Sequence, residues 1–124
     1  MTKNLIGTYG QVRNREHIVA EDLERAIHST MYGAVVRCID QDGRWLTLWA
    51  HKNIVFKTLI EDYILMGTPK FYEGNHVYDP RKKRSGVIHC VCWHFKRKAF
   101  YYYVQFPNKL SECWFFDDDL IKED

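Results

Sequence analysis

Beyond Lys70 the chain is cut into short runs rich in aromatic and β-branched residues, each closed by a turn signal. Phe71–Tyr78 leads into Asp79-Pro80 and a charged loop, and Gly86–Phe95 ends at Lys96-Arg97-Lys98. Ala99–Phe106 stops at Pro107-Asn108, Ser111–Phe116 follows, and Asp117–Ile121 reads as a short helical turn or a closing strand. Four or five strands within about 50 residues have the spacing of a small antiparallel barrel. Aromatic residues make up 15% of the chain, eight Tyr, seven Phe and four Trp. That proportion favours a β-rich fold with a large aromatic core or an adhesive surface.

The first 69 residues read differently. Residues 1–15 show no period and contain Gly7 and Gly10, as an extended arm or short strand would. Ala20–Ser29 predicts a helix: Glu21, Asp22 and Glu24 suit the positive end of its dipole, and Val19, Leu23, Ala26 and Ile27 share a face. Ala34–Ile39 and Arg44–Ala50 predict a hairpin across Asp40-Gln41-Asp42-Gly43, apolar enough on both faces to be covered on both. Asn53–Met66 predicts a second helix, with Asn53 as its cap, Gly67 just past its end and Pro69 preventing continuation. Phe56, Leu59, Ile60, Tyr63 and Ile64 would form its buried stripe. The expected fold class is α+β: a helix–β-hairpin–helix segment, residues 1–69, packed on an antiparallel β-barrel, residues 70–124, as one unit.

The net charge of +2 points to no partner, but its distribution does. Pro80–Lys109 holds eight basic residues and no acidic one, whereas six acids face one base from Leu110 onward. Arg81, Lys82, Lys83, Arg84, Lys96, Arg97 and Lys98 are therefore the candidate anion-binding residues. The opposing reading is that the two blocks neutralise each other across neighbouring strands or are merely solvated.

Four cysteines, Cys38, Cys90, Cys92 and Cys113, read as reduced thiols in a chain whose first residues lack an apolar leader, which places it in the cytoplasm. No run approaches the roughly 18 apolar residues that cross a bilayer, so no membrane role is expected. The run His89-Cys90-Val91-Cys92-Trp93-His94 invites a zinc reading. On a strand, however, Cys90, Cys92 and His94 recur every 6.6 Å or so, while thiolates on one zinc sit roughly 3.7 Å apart. No metal and no cofactor is expected, and the cysteines are read as buried structural residues.

Residues 70–122 resemble SH3-like barrels of the Tudor and related bacterial kinds. The resemblance is carried by Phe71-Tyr72-Glu73-Gly74-Asn75-His76-Val77-Tyr78, Ser85-Gly86-Val87-Ile88, Tyr102-Tyr103-Val104-Gln105-Phe106 and Trp114-Phe115-Phe116-Asp117-Asp118-Asp119-Leu120. It implies that Val77, Ile88, Cys90, Tyr102, Val104 and Phe106 point inward and that His89, Val91, Trp93, Tyr101 and Tyr103 point outward. It also implies a binding module for proteins or nucleic acids. Trp93, Tyr101 and Tyr103 are then the aromatic interface candidates. Pro80–Ser85, where peptide-reading barrels carry aromatic rings, has none, which counts against proline-rich and methyl-lysine ligands.

Ala34–Ile39 echoes Gly86–Val91, and Val19–Leu23 echoes Phe116–Leu120. Chance likeness among short β-rich segments is the preferred reading, a duplicated unit the alternative. No phosphate loop, Gly-x-Ser-x-Gly or His-Glu-x-x-His pattern is present, so the chain is not expected to be an enzyme. A thiol nucleophile would need Cys92 or Cys113 beside His76, His89 or His94, with Asp79 as orienter. The expected function is non-catalytic binding of nucleic acid or another polyanion through the basic loops. The alternative is a protein–protein or self-assembly module.

Overall fold

Side chains that alternate in and out with period two govern both halves of the chain, and the helical period governs almost nothing. The computed structural model describes residues 4–31, 34–110 and 114–123. They belong to two compact units, Met1–Thr68 and Pro69–Asp124. The first unit runs β1 (Tyr9–Val12), a 3₁₀ turn (Arg15–His17), α1 (Leu23–His28), β2 (Val36–Asp42), β3 (Trp45–Ala50), β4 (Ile54–Leu59), a second 3₁₀ turn (Ile60–Asp62) and β5 (Tyr63–Gly67). Its strands form one antiparallel sheet in the order β4-β3-β2-β1-β5. The second unit runs β6 (His76–Asp79), β7 (Arg84–His94), β8 (Ala99–Gln105), β9 (Phe115–Phe116), a 3₁₀ turn (Asp117–Asp119) and β10 (Ile121–Lys122). Its antiparallel order is β10-β6-β7-β8-β9.

This architecture corrects the expected fold class. The first unit is a five-stranded sheet with one six-residue helix, not a helix–hairpin–helix segment. Asn53–Met66 is a strand, a 3₁₀ turn and a strand. Its apolar residues fit a helical stripe, but Ile54, Val55, Thr58, Ile60 and Ile64 are β-branched, and stiff χ1 angles favour the pleated sheet. Along β4, Phe56 and Thr58 are buried while Val55 and Lys57 are exposed. Asn53 is no helix cap. It turns the β3–β4 hairpin with Lys52, both at positive φ (60° and 72°), and its Oδ1 accepts a hydrogen bond from the Trp49 indole at 3.0 Å. The helix expected at Ala20–Ser29 does form, over Leu23–His28, capped by Asp22, whose side chain accepts from the Arg25 N–H. Of its expected inner face only Ala26 is fully buried.

Nor do residues 70–122 support the SH3-like assignment. Their sheet is open: among the described residues no ladder joins β9 to β10. The motifs that carried the resemblance describe alternation and turn punctuation, which any short antiparallel meander supplies. The sheet is nonetheless strongly curled. Five flat strands would separate the two edges by about 19 Å, yet only Asp117–Leu120 lies between the ends of β9 and β10. Residues 60–62 link the edge strands β4 and β5 of the first sheet in the same way.

The two units in fact repeat one strand plan. In each, the fifth strand returns to pair with the first, and a three-residue 3₁₀ turn precedes it. In each, the second strand carries a bulge at the same place in its pairing with the third, Cys38/Asp40 in β2 and Ile88/Cys90 in β7. In each, a glycine at φ 91° leads into the first strand, Gly7 and Gly74. The Gly7 N–H donates to the Cys38 carbonyl at 2.8 Å, and the Gly74 N–H to the Ile88 carbonyl at 2.9 Å. The returning bonds, Cys38 N–H to Thr8 and Ile88 N–H to Asn75, are both 2.9 Å. Positive φ at this point favours glycine, since an L side chain there meets its own backbone. Each curled sheet buries its concave face: Val36, Cys38, Leu46, Leu48 and Phe56 in the first, and Phe71, Val77, Ile88, Tyr102 and Val104 in the second.

Candidate functional site

The bulge in β7 decides what the second sheet shows to its outer face. Two residues of β7 oppose one of β8 at Ile88–Cys90, so the alternation changes phase there. Ile88 is buried before the bulge and Val91 after it, with Cys90 no longer in the core. The expected orientations are corrected accordingly. Val77, Ile88, Tyr102, Val104 and Phe106 do face the core, but Cys90 turns outward and Val91 inward. Trp93 follows Val91: it pairs with Phe100 at 5.0 Å, edge to face, opposite to Tyr101 and Tyr103. The three aromatic interface candidates are therefore split between two faces.

Register places Cys90 beside Tyr103, Cys92 beside Tyr101, and His94 next along the same face. Tyr101 is the hub of a ring cluster, with centroids 5.4 Å from Trp114, 6.0 Å from Tyr103, 6.0 Å from His94 and 6.2 Å from Phe116. Tyr101, Tyr103, His94 and Phe116 are half-buried and Trp114 is exposed. Burial first, then the neighbouring Cys92, pushes the Tyr101 hydroxyl up to about 12. The two sulfurs lie 4.0 Å apart. The spacing of alternate residues on a strand thus does not fix the spacing of their sulfurs: two neighbouring thiols can lean together. Among the described residues no group of three metal-ligating side chains converges.

The basic candidates fall at two hairpin tips at opposite ends of β7, an 11-residue strand. Both are four-residue loops, Pro80–Lys83 and Phe95–Lys98, and both end on a lysine at positive φ, Lys83 at 51° and Lys98 at 50°. Arg81, Lys82, Lys83, Lys96 and Lys98 are exposed. Arg84 is engaged within the fold: its guanidinium contacts the Asp79 carboxylate at 3.2 Å and lies 3.6 Å from the Phe106 ring centroid. Asp79 is only 2% exposed, so Arg84 balances a buried charge. The Arg97 guanidinium covers the Phe116 ring at 4.1 Å, and the Arg97 backbone N–H donates to His94 Nδ1 at 3.1 Å, which leaves the ring proton of neutral His94 on Nε2. Among the described residues no ion pair joins these tips to the acidic run, and two of its carboxylates have local tasks. Asp117 accepts from the Tyr102 hydroxyl at 2.6 Å and Asp119 from the Phe116 N–H at 2.9 Å.

Of the residues in the thiol-enzyme arrangement considered from sequence, Asp79 lies far from Cys92 along β7, where it sits with Arg84. The neighbours of Cys92 are Cys90, Tyr101 and Glu73. Cys113 lies outside the described residues. Glu73 was missed by sequence reasoning: it accepts from the Val91 N–H at 3.3 Å, and its place follows from the Gly74 turn rather than from any motif. Arg97 was found as a charge but missed as a stacking partner of Phe116.

Fold and site together define a small β protein built from one sheet plan used twice, with an aromatic, thiol-bearing face on the second copy. No helix among the described residues is long and apolar enough to cross a membrane. Over residues 2–121 the chain matches DUF6960, a family of unknown function, and it belongs to that family. The match spans both units. No curated protein and no solved structure matches the chain.

Proposed function

We propose that the chain is a non-catalytic binding module that contacts nucleic acid, or another polyanion, through the hairpin tips of its second unit. One observation carries this reading: five exposed cations, Arg81, Lys82, Lys83, Lys96 and Lys98, project from both ends of β7 without an acidic partner among the described residues. An 11-residue strand spans at most about 35 Å, and even bent at its bulge β7 holds the two tips well apart, so they suit one extended anion better than a compact one. Such contacts hold phosphates and read no sequence. The reading includes a cytoplasmic setting, in keeping with Cys38, Cys90 and Cys92 being free thiols in the resting fold.

Fluorescence anisotropy with labelled single- and double-stranded DNA at two salt concentrations tests it. Log affinity should fall with log salt by up to about 0.9 per phosphate contact, and the triple variant R81A/K82A/K83A should flatten that slope. No binding at about 50 mM salt removes the reading. The half-buried rings around Tyr101 favour the second reading, a protein partner or self-association, since aromatic residues are enriched at interface cores. A complex seen by sedimentation that persists as salt rises would favour this second reading.

A further inference from the structure

The bulge in β7 turns Cys90 and Cys92 onto the outer face as a pair, and the pair has its own chemistry. Both side chains are half-buried, and their sulfurs are in hydrogen-bonding contact at 4.0 Å. Residues two apart on a strand have Cα atoms about 6.6 Å apart, the long end of the range a disulfide bridges. We propose that Cys90 and Cys92 are a redox-active dithiol that exchanges with small-molecule disulfides, Cys92 being the attacking sulfur and Cys90 the resolving one. This assignment does not depend on the polyanion reading.

The neighbours set the order of events. With Cys90 as donor across the 4.0 Å contact, and the Tyr101 hydroxyl set beside Cys92 by strand register, the Cys92 thiol is held below its ordinary range against the opposing effects of burial and the Glu73 carboxylate. Cys90 is pushed up, first by that same hydrogen bond and then by burial, and keeps its proton. A thiolate is the nucleophile in exchange, so Cys92 attacks first. It displaces one thiolate from the incoming disulfide and forms a mixed disulfide. Cys90 then loses its proton, attacks the Cys92 sulfur and expels the second thiolate. Two protein thiols lose two electrons, the small disulfide gains them, and both protons end on the released thiols. Since the strand holds the Cα atoms at full stretch, the bridge is strained and excess thiol reopens it. Cys38 is an internal control: it is fully buried, and burial pushes its thiol up.

The test is incubation of the reduced full-length protein with oxidised glutathione, followed by peptide mass mapping under non-reducing conditions. Cleavage after Arg84 and Lys96 releases one peptide with both cysteines, so the bridge is read as that peptide lighter by two hydrogens, free of glutathione and restored by dithiothreitol. In C90S the glutathione should stay on Cys92, arriving at least about tenfold faster than on Cys38. Y101F should move the midpoint of Cys92 alkylation to higher pH. Glutathione retained on the wild-type peptide, a bridge to Cys113 or Cys38, or faster capture by Cys90 in C92S would each overturn the proposal. The wild-type mapping needs no variant, so it decides the bridge even if C90S fails to fold.

Discussion

The two units share their backbone devices and differ in almost everything attached to them. Both have the glycine turn at φ 91°, the bulge in the second strand and the 3₁₀ turn before the fifth. Their first connections differ most: residues 13–35 in the first unit, holding α1, against the four residues of the Pro80–Lys83 tip in the second. Their outer faces differ as well. Counted from the bulge, Asp40 and Asp42 stand where the second unit has Cys90 and Cys92, and Trp45 and Thr47 stand where it has Tyr101 and Tyr103. A framework this tolerant is set by a few main-chain positions, so chemistry peculiar to one unit resides in its tips and outer face. The first unit cannot carry the thiol exchange proposed for the second.

The comparison can be broken most forcefully at the glycines inside strands. Gly10 pairs with Val36, and Val77 with Gly86, so each unit places one glycine and one valine at the same cross-strand pair but on opposite strands. A Cβ at Gly86 would lie 2.6 Å from Val104 and 2.9 Å from the Gln105 carbonyl; one at Gly10 would lie 2.5 Å from the Ile64 carbonyl and 2.6 Å from the Tyr63 ring. Each glycine lets a neighbouring strand come close, β8 in one unit and β5 in the other. Installing the other unit's residue, G86V or G10V, should lower stability by about 3 kcal/mol in urea titrations, the upper range for overpacking a filled core. A loss below about 1 kcal/mol would show that the curl is looser than this account requires.

A smaller effect sharpens the equivalence of the two turns. Nothing lies within 4 Å of a Cβ at Gly7 or Gly74, so the loss there is one of backbone conformation alone. G7A and G74A should each cost about 1–2 kcal/mol and agree with each other to within roughly 0.5 kcal/mol. Unequal losses would mean that the turns are alike in shape but not in function. The smallest effect is a gain. The Thr58 hydroxyl is fully buried with no hydrogen-bond partner, at the position where the second unit has Phe115. T58V should raise stability by about 1 kcal/mol, read from the same titrations, because it removes an unsatisfied polar group at constant shape.

Much of the second unit was legible. The runs Gly86–Phe95 and Ala99–Phe106 are β7 and β8 within a residue or two, because alternation and turn residues are local signals. The fate of Asn53–Met66 was not legible, because its apolar spacing satisfies two periods and only pairing with β3 and β1 decides between them. The repeat was not legible: the sequence echoes were read as chance likeness, and neither aligns with the shared strand plan. The echo of Ala34–Ile39 in Gly86–Val91 sets Cys38 against Cys90, whereas the shared bulge sets Cys38 against Ile88. A slip of two residues preserves strand alternation and so leaves no trace in the pattern. The second echo joins segments with different places in the plan: Val19 bridges to β4, while Phe116–Leu120 carries the 3₁₀ turn. At the site, the basic tips were legible as charge, but the exchange of Val91 for Cys90 in the core followed from one extra residue that no local signal announces.

Because the fifth strand docks beside the first, each sheet is finished by the part of it that is made last. The hairpins among β2, β3 and β4 join near neighbours, but Gly10 meets Leu65 across most of the unit. Until that meeting, the first strand has one flank open to water and the concave wall stays uncovered at its rim. Assembly of each unit is therefore gated by its most distant contact, and the rate of that closure, more than the speed of any hairpin, sets how long the growing chain remains vulnerable to self-association.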